Sequence, residues 1–247
     1  MEIVHPEFVP DPSLSREEME RLQGEIVTAA TFSDDFEFDP AGDGDRAPLV
    51  AGVDQGFDGD EATSAIVVLR GERIIERVHA TAPAAIPYVP GLLSFREGGA
   101  ILAAFERLDT DPDVVFFDGS GRIHFREAGL ATHIGVTLDV PAVGVAKSLL
   151  CGRPRESLAD PLPEGTRVPI EADDEVTAPN GTVIGYAVQT RQYDSGNRHI
   201  NPLYVSPGHR VSAETAADLV ERHARGYKLP EPTRLADKDA DEMTGRN

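Results

Sequence analysis

Three strand patterns follow one another closely between residues 49 and 81, and the turns that separate them are short. The strand segments are LVAGVDQ, TSAIVVLR and RIIERVHAT, and the turns are DGDEA and GE. Turns of this length join neighbouring strands as antiparallel hairpins, because a parallel connection needs a dozen or more residues. We therefore predict an antiparallel meander, around which the other elements have to be placed.

The elements after the meander alternate between helix and strand patterns. We predict a helix over 92–108, a strand over 113–118, a second helix over 124–138 and a short strand over 141–146. This order indicates an α/β fold with a mixed β-sheet, in which the meander is joined by parallel strands and helices flank the sheet.

The segments before the meander and after its neighbours are of two kinds. Residues 15–27 are a predicted helix, with Ser15 at the N-cap and Glu18 three residues later, which is the capping-box pattern. An acidic connector follows up to residue 48. Residues 153–180 are rich in proline and acidic residues, and we predict a loop there.

The last third of the chain is predicted to contain a late hairpin, formed by 181–192 and 200–206, and a closing helix over 212–224. These elements indicate one domain. Its parts are an N-terminal helix and connector at 1–48, a catalytic core at 49–237 and a tail at 238–247, all within a single domain of residues 1–247.

The charge of the chain is strongly negative. There are 43 acidic residues against 23 basic ones, a net charge of −20, and only Lys147, Lys228 and Lys238 are lysines. An acidic solubilising surface is one interpretation. We favour adaptation to a salty cytoplasm, where charge repulsion is screened, because the shortage of lysine exceeds what solubility requires. The charge neither identifies nor excludes a nucleic-acid substrate.

The environment of the protein is indicated by three features. Cys151 is the one cysteine, so an intrachain disulfide is impossible, which is typical of a reducing cytosol. No apolar run reaches the ~20 residues needed to span a bilayer. The N-terminal residues lack the pattern of a secretory signal. We expect a soluble, cytoplasmic protein that is a monomer and has no membrane partner.

Three acidic residues occupy positions that allow them to meet. Asp54 lies in the first strand, Glu97 on the helix after the meander, and Asp118 at the end of the fourth strand. If the first and fourth strands are parallel, Asp54 and Asp118 become neighbours and Glu97 can approach them. Carboxylates so close repel one another unless a cation such as Mg²⁺ neutralises them. Each of them taken alone could equally be a turn or cap residue.

The residues that follow Asp118 could form part of the same site. Gly119 and Gly121 lack a Cβ and would allow a ligand to approach the backbone. His124 is placed to contact a phosphate or a leaving group, although it and His133 could each be packed in the interior. Lys147 could be a compact charge for a phosphate or an ordinary surface lysine.

A rigid aromatic segment, IPYVPG, precedes the helix that carries Glu97. Pro87 and Pro90 restrict the backbone on both sides of Tyr88 and Val89. A rigid exposed aromatic side chain suits stacking on a base or insertion into a base step. A proline-rich loop with Tyr88 folded inward is the alternative.

Together these segments resemble the endonuclease V family. The matching stretches occur in the family's order across most of residues 49–237, and they are VAGVDQGF, PYVPGLLSFRE, DVVFFDGSGRIHFREAGLATHIGV, VPAVGVAKS, YVSPGHRVS and LPEPTRLAD. The resemblance implies a ribonuclease-H-like fold. It also implies cleavage of DNA at the second phosphodiester bond on the 3′ side of deoxyinosine, with some members preferring inosine in RNA.

The resemblance also implies roles for individual residues, with Mg²⁺ as the cofactor and Mn²⁺ as a substitute. The implied metal ligands are Asp54, Glu97 and Asp118, and Lys147 is implied as a further catalytic residue. His124 joins the catalytic candidates because of its position six residues after Asp118. The implied base wedge consists of Pro87, Tyr88, Val89 and Pro90. The implied inosine pocket consists of Gly91, Leu93, Gly119 and Gly121.

Two positions depart from the family pattern. Phe125 stands where many members have proline, and Asp237 stands where some members have a histidine close to the metal. An aspartate can bind hydrated Mg²⁺, so Asp237 is left open as a fourth ligand.

Three other functions also fit the residues. They are a ribonuclease-H-like nuclease acting on RNA–DNA hybrids or structured junctions, a non-catalytic nucleic-acid-binding module, and a metal-dependent phosphatase.

Overall fold

A nine-stranded mixed sheet runs through the computed structural model, which describes residues 1–84, 86–159, 161–194 and 199–245. The strands are β1 (Leu49–Asp58), β2 (Glu61–Arg70), β3 (Arg73–Pro83), β4 (Val114–Phe117), β5 (Ala142–Ala146), β6 (Arg153–Pro154), β7 (Arg167–Glu171), β8 (Val183–Val188) and β9 (Leu203–His209). The helices are α1 (Arg16–Ala29), α2 (Leu93–Phe105), α3 (Leu130–Leu138), α4 (Ala213–His223) and α5 (Glu231–Met243).

The strand order is β3-β2-β1-β4-β5-β9-β8-β7-β6. β1, β2 and β3 form the predicted antiparallel meander. β4 pairs in parallel with both β1 and β5, while β9 is antiparallel to β5 and to β8. The mixed α/β sheet, its parallel strands and the late hairpin predicted from the sequence are confirmed.

Helices cover both faces of the central strands, which explains why β4 is apolar throughout. Val115 and Phe117 pack in one buried cluster with residues of α2 and α3, whereas Val114 and Phe116 pack in another with residues of α4. A strand buried on both faces reads as a continuous apolar run. The next residue, Asp118, is therefore where β4 leaves the core.

α5 lies directly against β1, and a glycine makes this approach possible. A Cβ at Gly52 would collide with the backbone of Pro232 and Thr233, at the start of α5. Further along the same helix, Ala236 is buried against β2. The close contact brings Asp237 to the carboxyl ends of β1 and β4.

The N-terminal helix has the predicted capping box. The Glu18 backbone N–H donates to the Ser15 hydroxyl at 3.3 Å, and the Ser15 N–H donates to a Glu18 carboxylate oxygen at 2.8 Å. Ile26 of α1 packs with Val136 of α3, so this helix is part of the core and not an appendage.

Several predicted boundaries are corrected by the structure. The helix predicted over 124–138 begins at Leu130, because the backbone over 124–129 folds in turns and Glu127 has a φ of 55°. The loop predicted over 153–180 contains β6 and β7, which extend the sheet beyond β8. A helix that was not predicted, α5, spans Glu231–Met243 and includes residue 237, where the predicted catalytic core ends.

Within the part of the chain that the structure describes, no helix combines the length and the apolar character needed to cross a membrane.

Candidate active site

Two aspartates meet where β1 and β4 run side by side. Val53 and Phe117 are register partners in this parallel pair, and the Asp118 N–H donates to the Val53 carbonyl at 3.0 Å. Asp54 and Asp118 each come one residue later on neighbouring strands. The predicted convergence of these two residues follows directly from the strand register.

A third aspartate joins them from α5. Ligand oxygens of Asp54, Asp118 and Asp237 all lie within 4.8 Å of one another. Glu97, on α2, is not one of this three-member group, but it is buried and lines the same cleft. The structure therefore brings all four carboxylates to one site, three of them in close contact.

Burial and mutual repulsion disfavour the charged forms of these groups. Burial, together with the negative charge of Asp118, raises the pKa of Asp54 to about 9. Burial and Asp118 likewise raise the pKa of Glu97 to about 8. Hard oxygen donors held in this way fit a divalent cation such as Mg²⁺, because the cation would compensate the charge that the protein leaves unbalanced.

Lys147 supplies a positive charge at the same place. Its Nζ donates to Asp118 Oδ2 at 2.7 Å and to Asp237 Oδ1 at 3.1 Å. Burial opposes the charge of the ammonium group, but Asp118 outweighs it, and the pKa of Lys147 is raised above its usual value. Of the two alternatives left by the sequence, the structure favours a lysine that belongs to the site.

A cleft of about 730 Å³ opens beside the carboxylates. Residues from every predicted role line it, and they are Asp54, Tyr88, Val89, Pro90, Gly91, Leu93, Glu97, Asp118, Gly119, His124 and Lys147. Among the described residues, the candidates Pro87, Gly121 and Asp237 are not part of this lining. The Gly121 N–H instead donates to the Ser206 hydroxyl at 2.9 Å, where Gly121 packs closely against β5 and β9.

Tyr88 projects outward at the rim of the cleft. Its side chain is 66% exposed, so the alternative in which it folds inward is wrong. Arg96, on α2, donates to the carbonyl of Ile86 and helps to hold the start of this segment. An exposed aromatic ring on a restricted backbone is available for stacking.

His124 contributes to the wall of the cleft. It is buried, and burial lowers its pKa to about 4. Its Nδ1 accepts from the Arg126 N–H at 3.1 Å, which leaves Nε2 to carry the proton and donate to the Gly91 carbonyl at 3.0 Å. Both ring nitrogens are thus hydrogen-bonded within the protein, as in the interior alternative left by the sequence, and the expected contact with a phosphate or leaving group stays a prediction.

His133 is the interior histidine that the sequence left as one alternative. Its ring nitrogens lie 2.7 Å from the Ser94 hydroxyl and 2.8 Å from the Phe8 carbonyl. The residue is buried and has no part in the cleft lining that the structure describes.

Gln23 is one of several residues of the cleft lining that were not predicted from the sequence. Gln23, on α1, is 1% exposed and lines the cleft from below the Tyr88 segment. The available signal was its position beside Met19, Leu22 and Ile26, where a polar residue interrupts the apolar face of an amphipathic helix.

Comparisons with known proteins identify the family. A family model described as Endonuclease V matches residues 33–238. An endonuclease V from the halophilic archaeon Haloarcula marismortui is 66% identical over 260 residues, covering 97% of this chain and 96% of that protein. This similarity supports the interpretation of the acidic composition as salt adaptation.

Solved structures agree with the sequence relatives. The crystal structure of human ENDOV has a TM-score of 0.78 and 31% identity, covering 94% of this chain and 99% of that one. The Ciona intestinalis endonuclease V, crystallised with a 24mer DNA containing an inosine followed by a ribo-adenosine, has a TM-score of 0.73 at 23% identity. It covers 93% of this chain and 98% of its own, and shows likeness of fold. The chain described here belongs to the endonuclease V family.

Proposed function

We propose that this protein is a metal-dependent endonuclease that cleaves nucleic acid at the second phosphodiester bond 3′ to inosine or deoxyinosine, in the repair of deaminated adenine. The observation that carries the proposal is the close group of Asp54, Asp118 and Asp237, of which Asp54 and Asp118 line a cleft that also bears an exposed tyrosine. Membership of the endonuclease V family supports the reaction type.

The cofactor in this proposal is Mg²⁺, with Mn²⁺ as a substitute. Asp54, Glu97 and Asp118 would hold the ion, with Asp237 as a fourth ligand. Oxygens of the three aspartates lie within 4.8 Å of one another, and the charge of Asp118 contributes to the raised pKa of Glu97. When bound, a divalent ion activates a water molecule and neutralises charge on the phosphate. Asp237 offers a hard oxygen where some relatives offer a histidine, and this donor favours Mg²⁺ over softer metals.

Lys147 acts at the scissile phosphate. Its ammonium group stays protonated because its pKa is raised, and it donates hydrogen bonds to Asp118 and Asp237. A phosphate at the site would offer it an alternative anionic partner. We propose that Lys147 then stabilises the negative charge of the phosphate that is cleaved.

The rim and wall of the cleft act on the base. An enzyme that reads a base within a duplex extrudes it, and extrusion costs least at a weakened pair such as one with inosine. Tyr88, with Pro87, Val89 and Pro90, would fill the gap in the stack. Gly91, Leu93 and Gly119 would accommodate the extruded hypoxanthine in the cleft.

The substrate in this proposal is DNA that contains deoxyinosine, with inosine-containing RNA as a second candidate. The Ciona intestinalis relative was crystallised with DNA that contains an inosine, which supports the first choice. We place the reaction in the cytoplasm, since the single cysteine, Cys151, is free and buried, and we propose that the catalytic unit is one copy of the chain.

The test is incubation with matched single- and double-stranded oligonucleotides, of DNA or RNA, with and without inosine, in Mg²⁺ or EDTA. We expect a cut at the second phosphodiester bond, directly after the first nucleotide 3′ to inosine, in Mg²⁺ only. Equal cutting of inosine-free RNA–DNA hybrids or junctions would indicate a different ribonuclease-H-like nuclease. Binding without cleavage would indicate a binding module, and turnover of free nucleotides would indicate a phosphatase.

A further inference from the structure

The carbonyl of Gly91 accepts hydrogen bonds from two side chains that come from distant parts of the sequence. Gln23 Nε2, on α1, donates to it at 2.7 Å, and His124 Nε2 lies 3.0 Å from it. On the other side of the same peptide group, the Leu92 N–H donates to the Val89 carbonyl at 3.0 Å. Donor and acceptor of this one peptide are thus both engaged.

The peptide stands at a point where the backbone has little room to relax. Gly91 has a φ of +83°, and a Cβ there would lie 3.1 Å from the Phe125 ring and 3.4 Å from His124 Nε2. Leu92 is the N-cap of α2, and among the described residues its side chain makes no capping hydrogen bond. The orientation of the Gly91 peptide therefore sets how the Tyr88 segment enters the helix that carries Glu97.

The amide of Gln23 is oriented by a second contact. Arg126 Nη1 donates to Gln23 Oε1 at 3.4 Å, and Arg126 also forms an ion pair with Glu20 of α1. With its oxygen directed to Arg126, the amide must present its nitrogen to Gly91. Glutamine meets both demands, because it carries a donor and an acceptor on one planar group.

We propose that Gln23 is a positioning residue that holds the Gly91 peptide and thereby fixes the rim and wall of the cleft against which the inosine base is read. This inference rests on the proposed function and deepens it. α1 (Arg16–Ala29) lies outside residues 33–238, which the family model matches. The N-terminal helix thus contributes to base recognition from outside the matched region.

The test uses two substitutions of nearly constant shape. Gln23→Glu keeps an oxygen for Arg126 but has no donor for Gly91, and Gln23→Met removes both interactions. Ile26→Val is the matched control, because it alters the packing of α1 without contacting Gly91. For each variant we would measure kcat and KM on an inosine duplex, the preference over the inosine-free duplex, and amide hydrogen exchange of residues 88–93.

We expect Gln23→Glu and Gln23→Met to raise KM about tenfold, as for the loss of one buried hydrogen bond. We also expect a weaker preference for inosine, little change in kcat and faster exchange at Leu92. Ile26→Val should behave as the wild type. Values of KM and exchange for both Gln23 variants within twofold of the wild type would overturn the proposal.

The two proposals can fail separately. If the wild type itself does not cut the inosine duplex, the proposed function fails, while the exchange at Leu92 still tests whether Gln23 holds the Gly91 peptide. A loss of activity that Ile26→Val reproduces at equal stability would also overturn the role of Gln23, because general loosening of α1 would then explain it.

Discussion

α2 contributes one polar residue to each of two buried clusters, and the two clusters are opposite in character. Ser94 faces His133, whose second ring nitrogen meets the Phe8 carbonyl, so each donor in this cluster has an acceptor. Glu97, one turn later, faces carboxylates that repel it. Burial is tolerated in the first cluster because its hydrogen bonds are complete, and in the second because a ligand can complete it.

The pKa values express this difference. Burial lowers the pKa of His133 to about 4, so the ring is neutral and matched to its neighbours. Burial raises the pKa of Asp54 to about 9. A neutral hydrogen-bonded cluster stabilises the fold, whereas a cluster of like charges favours the binding of a cation.

The largest effect is expected at the acidic cluster. Asp118→Asn should reduce cleavage by roughly 10³-fold, since a group that stabilises charge at the reacting phosphate is lost. The free energy of unfolding, measured by urea titration in EDTA, should change by no more than about 1 kcal/mol. The variant loses its partly exposed ion pair with Lys147, but the substitution also removes the repulsion between residue 118 and Asp54.

Asp239→Asn is the matched control for Asp118→Asn. Asp239 lies on α5 two residues beyond Asp237 and pairs with Arg77 instead of joining the acidic cluster. Its loss should lower stability and leave the cleavage rate of the folded protein unchanged. Wild-type cleavage by Asp118→Asn would show that the two clusters do not differ in function.

The second largest effect is expected at the neutral hydrogen-bonded cluster of His133, Ser94 and Phe8. His133→Leu should lower the free energy of unfolding by about 2–4 kcal/mol, because the Ser94 hydroxyl loses its buried partner and the Phe8 carbonyl keeps only the Thr137 hydroxyl, at 3.3 Å. Urea titration measures the change. Cleavage per folded molecule should stay within twofold of the wild type, and a specific loss of activity at full stability would place His133 in the site.

The pH dependence of the free energy of unfolding should show a second difference between the neutral cluster and the acidic cluster. A histidine titrates near ~6.5 in the unfolded chain but at about 4 in the fold, so the unfolded chain binds more protons between these values. The contribution of His133 is therefore complete above pH ~6.5 and is lost as the pH falls toward 4, by about 3 kcal/mol in total. His124, whose pKa is also about 4, adds to this slope.

The measurement for this prediction is urea unfolding of the wild type and His133→Leu at several pH values between 4 and 7. The difference between the two proteins should shrink as the pH falls. A difference that stays constant over this range would mean that His133 is not held neutral by the fold.

A smaller effect is expected at the rim of the cleft. Tyr88→Ala should weaken binding to an inosine duplex by about 1–3 kcal/mol, the range for loss of one stacking aromatic. Stability should not change, because the ring is mostly exposed. Gel-shift titration in Ca²⁺ measures the affinity, and Tyr193→Ala, at an exposed tyrosine outside the described cleft lining, serves as the control. Unchanged affinity in Tyr88→Ala would contradict the wedge.

The smallest effect is expected from salt. With a net charge of −20 the protein should bind through the cleft and through stacking more than through phosphate contacts. We expect cleavage to fall by less than about tenfold as KCl rises toward molar concentrations, which is shallow for a nucleic-acid-binding protein. A steep loss would contradict salt adaptation and would show that phosphate contacts dominate.

Much of the fold follows from local patterns. The short turns of the meander leave room for hairpins only, and the apolar run of β4 requires cover on both faces. These two features place Asp54 and Asp118 on adjacent strands, which is why the centre of the site could be predicted before the structure.

The other features depend on partners that are remote in sequence. β6 and β7 are short strands that form because β7 pairs with β8 and β6 in turn pairs with β7. α5 has few apolar residues, and it is placed by its contact with Gly52. Local periodicity does not indicate either contact. The sequence therefore predicted a loop where β6 and β7 lie, and a tail where α5 ends.

By itself the sequence determined the order of the strands around the acidic pair and the kind of ligand that such a pair requires. Only the tertiary structure decided that Asp237 joins the pair, that His124 turns inward and that Gln23 holds Gly91. Hydrophobic period and turn length act over a few residues, whereas these contacts join side chains about 30 to 180 positions apart, through packing that no local pattern encodes.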